Sequence, residues 1–229
     1  MIIVDSMTYD EIIKLFEEFE KPLIMRRLED AGKNLRRKIK NVRNKERRYF
    51  TPIKYSTNRG FNIIIHCFDE GINFPTHRRL GAFYYAWYRQ KRGIYLLTYT
   101  RMFGTYWHYS IFTPHFLDRY NERYLKDPSL GKPQIIDLFL ENNRKVANMR
   151  LKAEDAKYKD ECWIACNNGL CFCRNPYDLF FEVKTFISWD MLGLDQQEFA
   201  INSKEFMQKH GFDLKVPNED FDDFIEEPE

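Results

Sequence analysis

Ile12, Ile13, Phe16 and Phe19 fall on one side of a 3.6-residue repeat, and Thr8 with Glu11 forms a capping box ahead of them. A first helix is predicted over about 9–20, ended by Lys21-Pro22. A second helix follows. Ile24, Leu28, Ala31, Leu35, Ile39 and Val42 recur every three or four residues, while Arg26, Arg27, Lys33, Arg36, Arg37, Lys40 and Arg43 fill the positions between. From Tyr49 the period shortens. Runs of β-branched and aromatic residues predict strands at 61–68, 83–88, 94–100 and 105–112, with Arg89 to Gly93 as the loop of one hairpin.

Thr113 and Pro114 then open a helix whose apolar side is Phe116, Leu117, Tyr120 and Tyr124. After the loop 127–133, Ile135, Ile136, Leu138, Phe139 and Val146 predict another helix to about 150. Residues 162–166 and 170–173 form a hairpin across Asn167-Asn168-Gly169, and 179–187 is the next strand. Ser188 caps a short turn through Leu192, and Asp195 with Glu198 caps a last helix that Gly211 stops. The predicted architecture is α+β, with N-terminal helices and an antiparallel sheet of aromatic-rich strands on which helices pack. One division of the chain places a basic helical segment plus meander at 1–107, a helix-helix-hairpin-strand-helix unit at 108–215 and an acidic tail at 216–229. A single continuous domain is the other.

Composition adds a core and a location. With 44% hydrophobic and 17% aromatic residues over 229 positions, the chain can bury a sizeable interior. No apolar run approaches the roughly 18 residues of a membrane span, and the N-terminus lacks the pattern of a signal peptide, so no membrane partner and a cytoplasmic location are expected. Four of five cysteines crowd into 162–173, which argues against a disulfide framework. A tight two-residue turn would put these four on one hairpin face, and a three-residue turn would divide them. Neither arrangement makes a tetrahedral centre, so no metal is expected and the thiols are read as small buried hydrophobes.

The net charge of +2 conceals an asymmetry. Residues 21–54 hold thirteen Lys or Arg against Glu29, Asp30 and Glu46, whereas the end from Glu219 is dominated by Asp and Glu. The basic helix is either a phosphate-facing surface, binding RNA or another nucleic acid through Arg26, Arg27, Lys33, Arg36, Arg37, Lys40 and Arg43, or a solvated face that pairs with acidic residues such as the tail.

Catalytic motifs are few. There is no P-loop, dinucleotide fingerprint, H-E-x-x-H or G-x-S-x-G, and no cofactor is implied. His66 and Cys67 are strand neighbours that point to opposite faces, His77 lies in a loop with Arg78 and Arg79, and His108 and His210 lack a supporting motif. On the helix from 114, His115, Arg119 and Glu122 rise in one row. RNA cleavage uses the ribose 2′-hydroxyl as nucleophile. The protein then needs only proton transfer, which His115 could perform, and cations for the phosphorane, which Arg119 could supply. If 179–187 lies under this helix with Val183 and Thr185 sharing a face, Thr185 or Ser188 could donate a hydrogen bond to the phosphate.

The order His115-x-x-x-Arg119 with Glu122-Arg123 at the head of a helix, then a second helix, a hairpin with a glycine turn and a strand finishing Lys184-Thr185-Phe186-Ile187, resembles the small metal-free RNases of the barnase, EndoU, colicin and RelE-like grouping. The similar portion is about 108–192. The resemblance implies an α+β fold, cleavage or binding of RNA, often a toxin role with an inhibitor protein as partner, and site residues at His115, Arg119 and Thr185. The expected function is therefore a nucleic-acid-acting protein, most specifically a metal-independent ribonuclease. The alternative is a non-catalytic module that binds nucleic acid or protein.

Overall fold

The computed structural model of the chain describes residues 2–39, 48–69, 80–101, 107–143, 147–150, 160–176 and 180–209. The fold is α+β and divides into two compact units, Met1–Tyr109 and Ser110–Glu229. The last predicted stop, Gly211, and the acidic tail lie outside the described residues.

In the first unit, helix α1 (Tyr9–Leu15) begins on the Thr8 and Glu11 box, with the Thr8 amide donating to Glu11 Oε2 at 2.7 Å. It does not end at Pro22. A π-helical turn (Phe16–Glu20) leads directly into α2 (Lys21–Ile39). Proline cannot donate to the i→i−4 ladder, and its ring crowds the carbonyl one turn back. The π turn takes in an extra residue just before it, with the Lys21 amide bonding five residues back to Phe16 O, so the chain passes Pro22 without leaving the helix.

The sheet of this unit contains β1 (Arg48–Tyr49), β2 (Ile53–Ser56), β3 (Asn62–Asp69), β4 (Leu80–Gln90) and β5 (Gly93–Arg101). Strand β3 pairs antiparallel with β4, and β4 with β5. The other edge of β3 is shared by β2 and β1 in succession. The β4–β5 loop is shorter than expected: Gln90 pairs with Gly93, leaving a two-residue turn of Lys91 and Arg92. Gly93, at φ +130°, supplies the backbone that this turn needs. Ile12, Leu15, Phe16 and Ile24 of the helix close over Phe61, Ile63, Ile65, Tyr84 and Tyr88. Phe16 meets Phe61 edge-on at 5.4 Å, and Tyr88 stacks on Tyr95 at 5.3 Å.

Strand β6 (Trp107–Phe112) carries the chain into the second unit. There α3 (Pro114–Tyr120) starts on Thr113, whose Oγ1 accepts from the Phe116 amide at 3.2 Å. A second π turn (Asn121–Leu125) ends at Lys126, which takes the left-handed conformation at φ 56°. Helix α4 (Lys132–Asn142) is shorter than its apolar pattern predicts, and β7 (Ala147–Arg150) follows where helix was expected. Asn143 accounts for the stop. It leaves helical geometry at φ −118°, ψ 44°, while its side-chain amide donates to Phe139 O at 2.9 Å and to Asn168 Oδ1 at 2.8 Å. Tyr120 also donates to Asn168 Oδ1, at 2.9 Å, so one asparagine of the hairpin turn after Cys166 is held by both helices.

Strands β8 (Glu161–Cys166), β9 (Gly169–Arg174) and β10 (Phe180–Ser188) complete a sheet of order β10-β9-β8-β7, antiparallel throughout. Helices α3 and α4 cover one face, where Phe186 meets Phe116 at 6.2 Å and Tyr120 at 5.0 Å. Helix α5 (Leu194–Lys209) covers the other, where Phe199 and Ala200 close on Ala165, Leu170 and Trp163. Its cap is Gly193 with Gln196, two residues before the expected Asp195 and Glu198: the Gly193 amide donates to Gln196 Oε1 at 3.0 Å.

Two outcomes follow from this packing. Tyr84, Tyr88, Tyr109 and Tyr120 are held above the ordinary phenol value of 10.0, chiefly by burial. Folded, they keep protons that the unfolded chain would release, so stability present below about pH 10 is lost as pH rises further. An alkaline titration should show part of the phenolate absorbance rising only together with loss of circular dichroism. Complete titration of all tyrosines with an intact signal would contradict this. At Gly169 a β-carbon would stand 1.9 Å from Ile187 O, so Gly169→Ala should cost at least about 2 kcal/mol in denaturant unfolding, and an unchanged midpoint would refute the close approach.

Candidate nucleic-acid interface

Two surfaces carry the expected chemistry, one in each unit. On the first, residues Arg26 and Lys33 stand on the outer crest of α2, away from buried Ile24 and Gly32, and both are exposed. Neither is in a salt bridge among the described residues, although Glu29 and Asp30 are exposed on the same helix. Arg36 and Arg37 continue α2, but their side chains are not described; Lys40 and Arg43 lie outside the described residues altogether.

Arg27 differs from its neighbours. It lies on the flank of α2, with its guanidinium carbon 3.9 Å from the centre of the Tyr55 ring on β2. A second guanidinium repeats the arrangement: Arg59 stands over Phe19 at 4.3 Å. The loop that bears Arg59 is tightly tied. Thr57 donates its amide to Phe61 O at 2.8 Å and accepts from the Gly60 amide at 3.1 Å, and Arg59 O accepts from the Ile3 amide at 3.0 Å. Gly60 allows the turn at φ +94°.

Behind this flank is a buried carboxylate. Glu20, the last residue of the π turn, is fully buried, and neither of its oxygens has a hydrogen-bond partner among the described residues. Its counter-charge is Arg59, with Nη1 3.7 Å from Oε1. A buried charge needs such a partner, and removing one member of a pair of this kind costs about 3–5 kcal/mol. The Tyr55 hydroxyl registers both signs: burial pushes it up, Arg27 pulls it back, and Glu20 adds to the rise. Exposed Phe19 and Leu23 lie beside these groups, so the flank is cationic, aromatic and apolar together.

The second surface is α3. His115, Arg119 and Glu122 occupy one row as the spacing predicts, and His115 is exposed. Arg119 is turned to Glu122, with Nη1 2.5 Å from Oε2, and Asp118 pairs with Lys132 of α4. Arg123 donates to Phe186 O beneath the helix.

Thr185 does not join them. A β-bulge at Lys184 shifts the register of β10, so that Val183 pairs with Cys173 but Thr185 pairs with Phe172. Val183 and Thr185 therefore do not share a face, contrary to the alternation read from the sequence. Phe186 points to α3, whereas Thr185 is on the side of Phe172, which packs on Trp163 under α5. The threonine and the His115 row are on opposite sides of one sheet.

His66 and the five cysteines are packed into the interior. His66 is buried against Phe83 at 5.0 Å and Tyr85 at 5.4 Å, and its neighbour Cys67 faces the other way. His77 and His210 lie outside the described residues. The hairpin turn is the two-residue form, with Cys166 opposite Gly169 and Cys162 opposite Cys173, which places all four thiols of the cluster on one face. All are buried, Cys166 and Cys171 with sulfurs 4.0 Å apart. Among the described residues no group of three or more His, Cys, Asp or Glu side chains could hold a metal ion, and no helix is long and apolar enough to cross a membrane.

Sequence reading marked Arg26, Arg27 and Lys33 but missed Tyr55, Arg59, Phe19 and Glu20. The alternation Ile53-Lys54-Tyr55-Ser56 was the available signal for β2, and with it the hairpin that carries Arg59 to the helix. In comparisons with protein-family models, curated proteins and solved structures, nothing matches this chain.

Burial pushes the Cys171 and Cys173 thiols well up, which suppresses the reactive thiolate. All four clustered thiols are also closed off from solvent, so a thiol reagent at neutral pH should leave them unlabelled until the chain is unfolded; rapid labelling of any one in the folded protein would show the packing to be wrong.

Proposed function

We propose that this protein binds nucleic acid through the crest and flank of α2, as a non-catalytic module. The observation that carries the reading is the Arg26, Arg27 and Lys33 set on one exposed helix, with Arg27 over Tyr55 and a further guanidinium, Arg59, over Phe19 beside it. Clustered cations release the counterions condensed on a polyphosphate chain, which is the main source of affinity in such complexes. Exposed Arg89, Lys91 and Arg92 extend the positive charge at the β4–β5 turn. That turn is at the end of the sheet where Asn62 pairs with Trp87, the end that also carries the Thr57–Phe61 loop.

The ribonuclease reading rests on the second unit. It has an accessible imidazole in His115, but Arg119 is paired with Glu122 and Thr185 is on the reverse face of the sheet. Binding without cleavage is the better supported of the two.

Retention of RNA and DNA should be salt-sensitive. The variant Arg26→Ala/Arg27→Ala/Lys33→Ala should bind roughly tenfold more weakly, its log-affinity against log-salt slope shallower by about 0.7–0.9 for each phosphate that is no longer neutralised. An unchanged slope would remove α2 from the interface. Total RNA incubated in EDTA should stay intact with the wild type; metal-independent cleavage that His115→Ala abolishes would restore the ribonuclease reading in its place.

A further inference from the structure

The binding reading leaves the class of nucleic acid open, and the chemistry of the α2 flank narrows it. An exposed lysine offers a phosphate only a point charge, and duplex and single strand attract it alike. A guanidinium resting on an aromatic ring is different. Its inner side is desolvated by the ring, its outer side can take the flat face of a nucleobase, and its N–H edge can still reach a phosphate. The first unit has two guanidiniums on rings, Arg27 on Tyr55 and Arg59 on Phe19; Arg59 turns Nη1 to Glu20 and buries Nε, so it offers a base its exposed face more than a phosphate its edge.

The surroundings favour base faces as well as phosphates. Phe19 is 39% exposed and Leu23 is 45% exposed, apolar surface that a phosphate chain alone would leave unused. Asp30, one turn beyond Arg27 on the same flank, bounds the cationic stretch on that side. Glu20 lies beneath, not on, the surface. Its negative charge is spent on Arg59 at 3.7 Å, and that attraction keeps the guanidinium of a long, otherwise mobile side chain beside Phe19. In a duplex both faces of nearly every base are covered by neighbours, so these stacks would contribute charge alone. In a single strand the faces are free.

We infer that the nucleic acid taken by this flank is single-stranded, its bases stacking on the outer sides of Arg27 and Arg59 while Arg26 and Lys33 follow the phosphates, with Glu20 as the positioning residue for Arg59. This rests on the binding reading above and goes further than it.

Fluorescence anisotropy tests the inference, with a mixed-sequence single-stranded RNA, the matching single-stranded DNA and the DNA duplex of equal length at one salt concentration. The wild type should prefer a single strand to the duplex by roughly tenfold, the worth of about one stacked base. The stronger of the two single strands then names the polymer. Arg27→Lys/Arg59→Lys keeps both charges, including the counter-charge to Glu20, but removes both planes, and it should lose that preference. If the double variant does not fold, Arg27→Lys alone, at an exposed helix position, should reduce the preference. Equal binding of strand and duplex by the wild type would overturn the inference. So would a preference that survives the lysine variant, or displacement of the oligonucleotide by polyglutamate at equal charge concentration. Failure to bind any of the three oligonucleotides would remove the binding reading itself, an outcome distinct from binding without preference.

Discussion

A carboxylate taken out of water must be met by opposite charge, and in the N-terminal unit that requirement ties the parts together. Glu20 is fully buried at the end of a π turn, and the cation that answers it, Arg59, comes from a loop 39 positions further along the chain. The pair fixes where the β2–β3 loop meets the helix. From that, Arg59 comes to stand over Phe19, and β2 brings Tyr55 under Arg27. The π turn contributes in two ways: it lets the helix pass Pro22, and its last residue is the one turned inward with its charge.

The second unit depends on a different local event. One extra residue in β10, Lys184, reverses the alternation of everything before it relative to everything after it. Phe186 thereby faces the aromatic group of Phe112, Phe116, Tyr120 and Phe139, and Thr185 faces the α5 side. A catalytic set that requires Thr185 beside His115 would need the unbulged strand. The same sheet holds its cysteine face closed against helices α3 and α4, which accounts for the burial of all four thiols and for the rise of those of Cys171 and Cys173.

Much of the fold was legible because it rests on local chemistry. The Thr8 and Glu11 box, the Thr113 cap with Pro114, the Asn-Gly hairpin and the long aromatic strands each announce themselves within a few residues. What escaped was set by partners distant in sequence or by a change of period. Pro22 reads as a stop unless the π turn before it is known. Asn143 ends α4 through a bond to Asn168, which no window around 143 contains. The bulge at Lys184 shows in the sequence only as a change of apolar spacing, from two residues between Phe181 and Val183 to three between Val183 and Phe186, which simple alternation passes over. The interface was half legible for the same reason: the basic crest of α2 is a helical repeat, whereas the Arg27–Tyr55 and Arg59–Phe19 stacks join a helix to a hairpin whose first strand is only Ile53–Ser56.

The most direct test of this account is to irradiate the protein with a bound single-stranded oligonucleotide and map the peptides that become covalently attached to it. Crosslinks report the side chains that a bound base touches, here Arg27, Arg59 and the exposed part of Phe19, so adducts are predicted on the peptides containing these residues. Adducts confined to the peptide that spans His115, or to any other part of the second unit, would contradict it.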